Sequence, residues 1–180
     1  MSQTTLDIKE PGLNVLPPGV ERHVVNAGGL TGLQIFPDDE IEIINEEGNQ
    51  ICEIICFDKD GKSELGILNQ KENCKKSFIK ELLKGKDESS LITNLQLKKR
   101  NLDINKSKSS ILFDEQTPSG EKIKIKSKDK CYVIFAAPQN NMLVSEQNPS
   151  SDLTLFIKRY KIVNDKELSL IHISEPTRLR

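Results

Sequence analysis

The chain has 180 residues, with 26 basic against 27 acidic side chains and a formal net charge of −1. So even a balance supplies no global field that would make DNA, RNA or an anionic membrane an obligatory partner. No run approaches the ~18 consecutive apolar residues of a membrane-spanning helix. The start, Met1 to Asp7, carries neither a basic leader nor an apolar core segment, so a cytoplasmic protein without membrane contact is expected.

Residues 1–19 hold Pro11, Pro17 and Pro18 with Gly12 and Gly19 and show no period, which reads as an extended arm. A strand is predicted over Val20–Val25 from its alternation and β-branching, with His23 sharing a face with Glu21 and Val25. Asn26-Ala27-Gly28-Gly29 interrupts it, and Leu33 to Phe36 reads as a short strand. Pro37-Asp38-Asp39 is a turn. Glu40–Asn45 alternates acid and apolar residues, which sends Ile41 and Ile43 inward. Glu46 to Asn49 then leads into Gln50 to Phe57, a pattern that predicts a hairpin whose second strand is central because it is apolar on both faces apart from Glu53. Asp58 to Lys62 is another turn. It resembles the start of a calcium loop but lacks the later ligands and the closing glutamate.

The spacing of Phe78, Ile79, Leu82 and Leu83 predicts an amphipathic helix from Lys75 to Lys84, stopped at Gly85. Ser90 to Leu97 reads as a strand, and Lys98 to Ser109 as a long polar loop. Further strands are expected at Glu121–Lys126, with Lys122, Lys124 and Lys126 outward, at Cys131 to Ala137, and at Asp152 to Lys158. These elements make a mainly β domain over 20–160, an antiparallel barrel or sandwich of about seven or eight short strands with one amphipathic helix.

Chemistry-bearing residues are sparse. Cys52 and Cys56 would stand ~13 Å apart along one strand, too far for a disulfide or a shared metal, and buried thiols are expected. His23 is the single imidazole before residue 168, and no Ser/His/Asp or Cys/His spacing surrounds it. Gly28-Gly29-Leu30-Thr31-Gly32 lacks the lysine, the hydroxyl and the following helix of a phosphate loop, so it reads as a hinge or bulge. The lysines between 98 and 130 have Phe113 as their only aromatic neighbour, which argues for a solvated edge rather than a nucleic-acid face. The acidic residues Asp38, Asp39, Glu40, Glu42, Glu46 and Glu47 fall in turns and on an exposed strand face. No catalytic residue and no metal ligand set is assigned. His23, Gly28, Gly29, Asn49 and Gln50 are the candidate ligand-binding residues.

The run His23-Val24-Val25-Asn26-Ala27-Gly28-Gly29, then Asp39 to Ile43, Glu47-Gly48-Asn49-Gln50 and Phe57-Asp58, resembles the opening of the urea carboxylase-associated family. With Pro138-Gln139-Asn140 and Glu146 to Pro149 it is also similar to a leader that precedes an aminomethyltransferase domain of the glycine cleavage T-protein type. The resemblance implies a non-catalytic accessory domain of a larger enzyme that uses tetrahydrofolate, with no folate on this segment. Its partners would be the downstream domain of the same parent and a small-molecule amine. A free-standing small-molecule-binding β-domain is the alternative. Residues 168–178, Leu-Ser-Leu-Ile-His-Ile-Ser-Glu-Pro-Thr-Arg, resemble a translated sequencing-library adapter. On that reading 168–180 is not native, 161–167 begins a linker or next element, and the parent continues beyond it.

Overall fold

The computed structural model describes residues 16–139 and 149–161. Most of the expected N-terminal arm, and the whole expected non-native tail, lie outside the described residues. Among the described residues eight strands form two four-stranded sheets. These are β1 (Val20–Val25), β2 (Leu30–Ile35), β3 (Glu40–Asn45), β4 (Cys52–Asp58), β5 (Ser109–Phe113), β6 (Glu121–Lys126), β7 (Cys131–Ala136) and β8 (Leu153–Lys158). One sheet has the order β1-β8-β3-β6 and the other β2-β7-β4-β5, all neighbours antiparallel. The mainly β expectation is met by a sandwich with no closed barrel.

The predicted hairpin does not form. β3 and β4 belong to different sheets, and residues 46–51 cross between them. A glycine-containing turn serves a hairpin and a crossover equally well locally. The choice falls to the apolar faces of β4, which require burial on both sides. Gly48, at φ 79, packs against the backbone of Ser119, where a side chain would collide.

The helices explain why the second sheet is apolar throughout. Ile35, Cys52, Ile54, Cys56, Val133 and Phe135 face the first sheet, packing against Ile41, Ile43, Leu155 and Ile157. The opposite face, with Leu30, Ile55, Phe57, Tyr132, Ile134 and Ala136, is covered by Ile79, Leu83 and Leu97. Each such side chain contributes about 1.5–3 kcal/mol on full burial. The first sheet faces water on its outer side, where Lys124 reaches Glu42 at 3.5 Å and Lys126 reaches Asp38 at 3.7 Å.

The predicted helix over 75–84 is shorter, α1 (Phe78–Leu82), and its start is set from a distance. Buried Glu53 of β4 accepts from the Ser77 hydroxyl (2.6 Å) and from the Phe78 and Ile79 amides (2.7 and 3.1 Å), satisfying helix-end donors that would otherwise be bare. The segment 90–97, read as a strand, is instead the centre of α2 (Glu88–Lys99). Asp87 caps it by accepting from Ser90 N, and Ser90, Thr93 and Leu97 form its buried side. Period-two alternation over eight residues was outweighed by this cap and by packing on β2. The long loop expected at 98–109 is shortened by the end of α2, by a turn of 3-10 helix at Ile104–Lys106 and by the start of β5, a strand the sequence pattern did not show.

Candidate functional site

A cavity of about 630 Å³ opens between the turn 26–29, the edge strand β2 and the first turns of α2. Gly28 and Gly29 lie at its rim. Gly28 takes φ 72, its amide donates to Ala137 O (2.7 Å), and Gln139 covers the face where a Cβ would stand. The α2 wall presents Asp87, Glu88, Ser89, Ile92, Thr93 and Gln96. Hydrogen bonds from Ser89 and Ser90 hold the Asp87 carboxyl below the usual range, so it stays ionised at the cavity mouth.

Gly32 is the floor. A Cβ there would overlap the Tyr132 hydroxyl, which donates to Gln96 Oε1. Arg100 sits 4.6 Å from the Tyr132 ring centre on the other side. Burial pushes the Tyr132 phenol up to about 12 against the opposing Arg100 charge, so it remains a donor at neutral pH.

The sequence candidates divide. Gly28 and Gly29 line the cavity. Gln50 belongs to the same end of the sandwich but is buried, its amide donating to Ile51 O and Pro138 O (3.0 and 2.8 Å) and accepting from Ser151 N (2.8 Å). It therefore ties the crossover to the segments on either side of 140–148. Asn49 takes φ 56, and its amide donates to Thr117 O (2.7 Å), placing it in the crossover turn. His23, on β1, does not line the cavity, and its Nε2 stands 3.0 Å from Glu21 Oε2.

That neighbourhood is an ion network. Arg159 pairs with Glu21 through Nε and Nη2 (3.0 and 3.1 Å) and with buried Asp39 through Nη1 (2.8 Å). Asp39, expected in a solvated turn, is thus an interior carboxylate that also accepts from Phe36 N and Tyr160 N. Its burial was invisible in sequence because its partner stands 120 residues away.

All four cysteines are free, with Cys52, Cys56 and Cys131 buried. Contact with Cys131 and burial push the Cys56 thiol well above its ordinary range, which suits packing rather than nucleophilic attack. Asp58 Oδ1 accepts from the amides of Asp60 and Lys62, so the calcium-like run is a turn. Among the described residues no group of three or more His, Cys, Asp or Glu is placed to hold a metal ion, and no helix is long and apolar enough to cross a membrane.

The α2 residues of the cavity escaped the sequence reading because 90–97 was read as a strand. The available signal was the Asp87 cap followed by Glu88.

The fold and cavity thus define a two-sheet β-sandwich with a helical layer and a polar, small-molecule-sized cleft at one sheet edge. No protein-family model matches the chain. It is 34% identical over 152 residues to trimethylamine-oxide aldolase of Ruegeria pomeroyi (strain ATCC 700808 / DSM 15171 / DSS-3), a match covering 84% of this chain and 19% of that protein. The chain therefore spans about a fifth of the length of the curated relative it matches. This match corrects the expectation of a non-catalytic accessory domain of a folate-dependent aminomethyltransferase, and that of a free-standing urea carboxylase-associated binder. The relative is named as an enzyme, an aldolase, and neither of those names is supported.

Proposed function

We propose that this chain is a segment of an enzyme of the trimethylamine-oxide aldolase type, and that the β2–α2 cavity is where the segment meets a small methylated amine oxide. The 34% identity over 84% of the chain carries the reading. An aldolase-type cleavage of trimethylamine oxide is redox-neutral. The N–O bond breaks and oxygen passes to a methyl carbon, one hydrogen of that methyl ends on nitrogen, the C–N bond breaks, and formaldehyde and dimethylamine account for every atom.

The cavity chemistry suits such a molecule. Asp87 and Glu88 bring negative charge for the quaternary nitrogen, while Ile92 offers apolar surface to methyl groups. Tetrahydrofolate, implied by the family resemblance alone, has no fit in this cavity, whose lining contains no aromatic ring for a pterin to stack on.

The test is turnover by a protein that carries residues 16–161 within its natural length. Formaldehyde and dimethylamine should appear in equal amounts from trimethylamine oxide. Filling the cavity with Ser89→Trp should cut turnover at least about tenfold while thermal stability is kept. Turnover untouched by that substitution would remove the cavity from the proposal.

A further inference from the structure

The cavity is bounded by an open sheet edge. Among the described residues β2 pairs with β7 alone, and Ala137 N donates to Gly29 O at 3.0 Å. In an antiparallel ladder that phase gives the exchanged bonds to Thr31, Leu33 and Ile35. The main-chain groups of Leu30, Gly32 and Gln34 then face away from the sheet. Gln34 O confirms the phase by accepting from Arg159 Nη1 (2.8 Å). Among the described residues nothing pairs with the outward amides of Leu30 and Gly32, and both residues line the cavity. Gln96 stands above Gly32 with Oε1 engaged by Tyr132, which leaves its Nε2 without an acceptor among the described residues.

We infer that the outward amides of Leu30 and Gly32, with Gln96 Nε2, form the donor set that recognises the oxygen of a small N-oxide in this cavity. The inference rests on the proposed function and deepens it by assigning the oxygen-recognising groups. An N-oxide oxygen carries formal negative charge and accepts several hydrogen bonds, while the nitrogen and methyl groups of the same molecule offer none. Tyr132 acts as a positioning residue by fixing which end of the Gln96 amide faces the cavity. The absence of a side chain at Gly32 lets the hydroxyl reach that amide.

Amide resonances of the isotope-labelled 180-residue chain provide the test. Leu30 and Gly32 should shift saturably with trimethylamine oxide and stay in place with trimethylammonium, which keeps the methyl groups and lacks the oxygen. Gln96→Leu should raise the N-oxide dissociation constant about tenfold. Gln96→Glu, which keeps the acceptor for Tyr132 and loses the donor, should do at least as much. Saturable shifts confined to other residues of the cavity, or equal shifts at Leu30 and Gly32 with trimethylammonium, would overturn the inference while leaving the proposed function intact. If no resonance responds to the N-oxide, both fail together.

Discussion

Arg159 and Asp39 bind each other inside the protein, Nη1 to Oδ2 at 2.8 Å, although the two residues flank different strands of the outer sheet. The same guanidinium reaches Gln34 O on β2, so one side chain ties the outer sheet to the edge of the inner one. Burial works against its charge, but the hydrogen bonds it donates to the Glu21 and Asp39 carboxylates outweigh this and raise its pKa. Replacing Arg159 with Met would leave the Asp39 carboxylate interior and without its cation. The expected loss is about 3 kcal/mol in urea denaturation, and a loss under about 1 kcal/mol would show that the network is dispensable.

The same network sets an acid limit. The Arg159 hydrogen bond holds the Glu21 carboxyl below its ordinary value of 4.5. A depressed folded-state pKa means the contribution is complete above that value and is lost as pH falls through the lower, folded one. Glu21 is partly exposed, so the contribution should be only about 0.5–1 kcal/mol. Glu21→Gln should lower stability at neutral pH by that amount, and the difference from the parent should vanish in acid below the folded pKa. A difference that persists unchanged in acid would assign the effect to packing.

Glu53 supplies to α1 what a bound anion would supply. Glu53→Leu keeps the apolar character of β4 but strips partners from Ser77 Oγ, Phe78 N and Ile79 N. We expect a cost of about 2–3 kcal/mol. Hydrogen exchange should speed up at Phe78 to Leu82 before it does in the β-strands. Uniform exchange across the sheets would mean that Glu53 matters to β4 alone.

Gly32 and Tyr132 should be coupled. Gly32→Ala forces the phenol away from Gln96 and should cost about 1–3 kcal/mol by overpacking. Tyr132→Phe should cost about 1 kcal/mol. With the hydroxyl absent the alanine has more room, so the double substitution should cost less than the sum by at least about 1 kcal/mol. Strict additivity would place Tyr132 elsewhere in solution.

The α2 cap is the simplest test of the helical layer. Asp87→Ala removes acceptors for Ser89 Oγ, Ser90 N and Ser90 Oγ at the cavity mouth. A loss of about 1 kcal/mol is expected in thermal or urea unfolding.

Local pattern by itself determined most of the strands. Val20–Val25, Glu40–Asn45, Glu121–Lys126 and Cys131–Ala136 were legible because each alternates in sequence or is apolar throughout, between turn residues. Gly28 and Gly29 were legible as a break for the same reason. Tertiary structure decided the rest. A turn such as Glu46–Asn49 has the same chemistry whether the next strand returns beside its neighbour or crosses to another sheet, and only the two-sided burial of β4 chose. Residues 90–97 fit a strand or a helix in isolation, and packing of Ser90, Thr93 and Leu97 onto β2 made them the cavity wall. The cavity is built from residues up to 70 positions apart, from Asn26 to Gln96 (96 − 26 = 70), and juxtaposition at that distance leaves no mark in local periodicity.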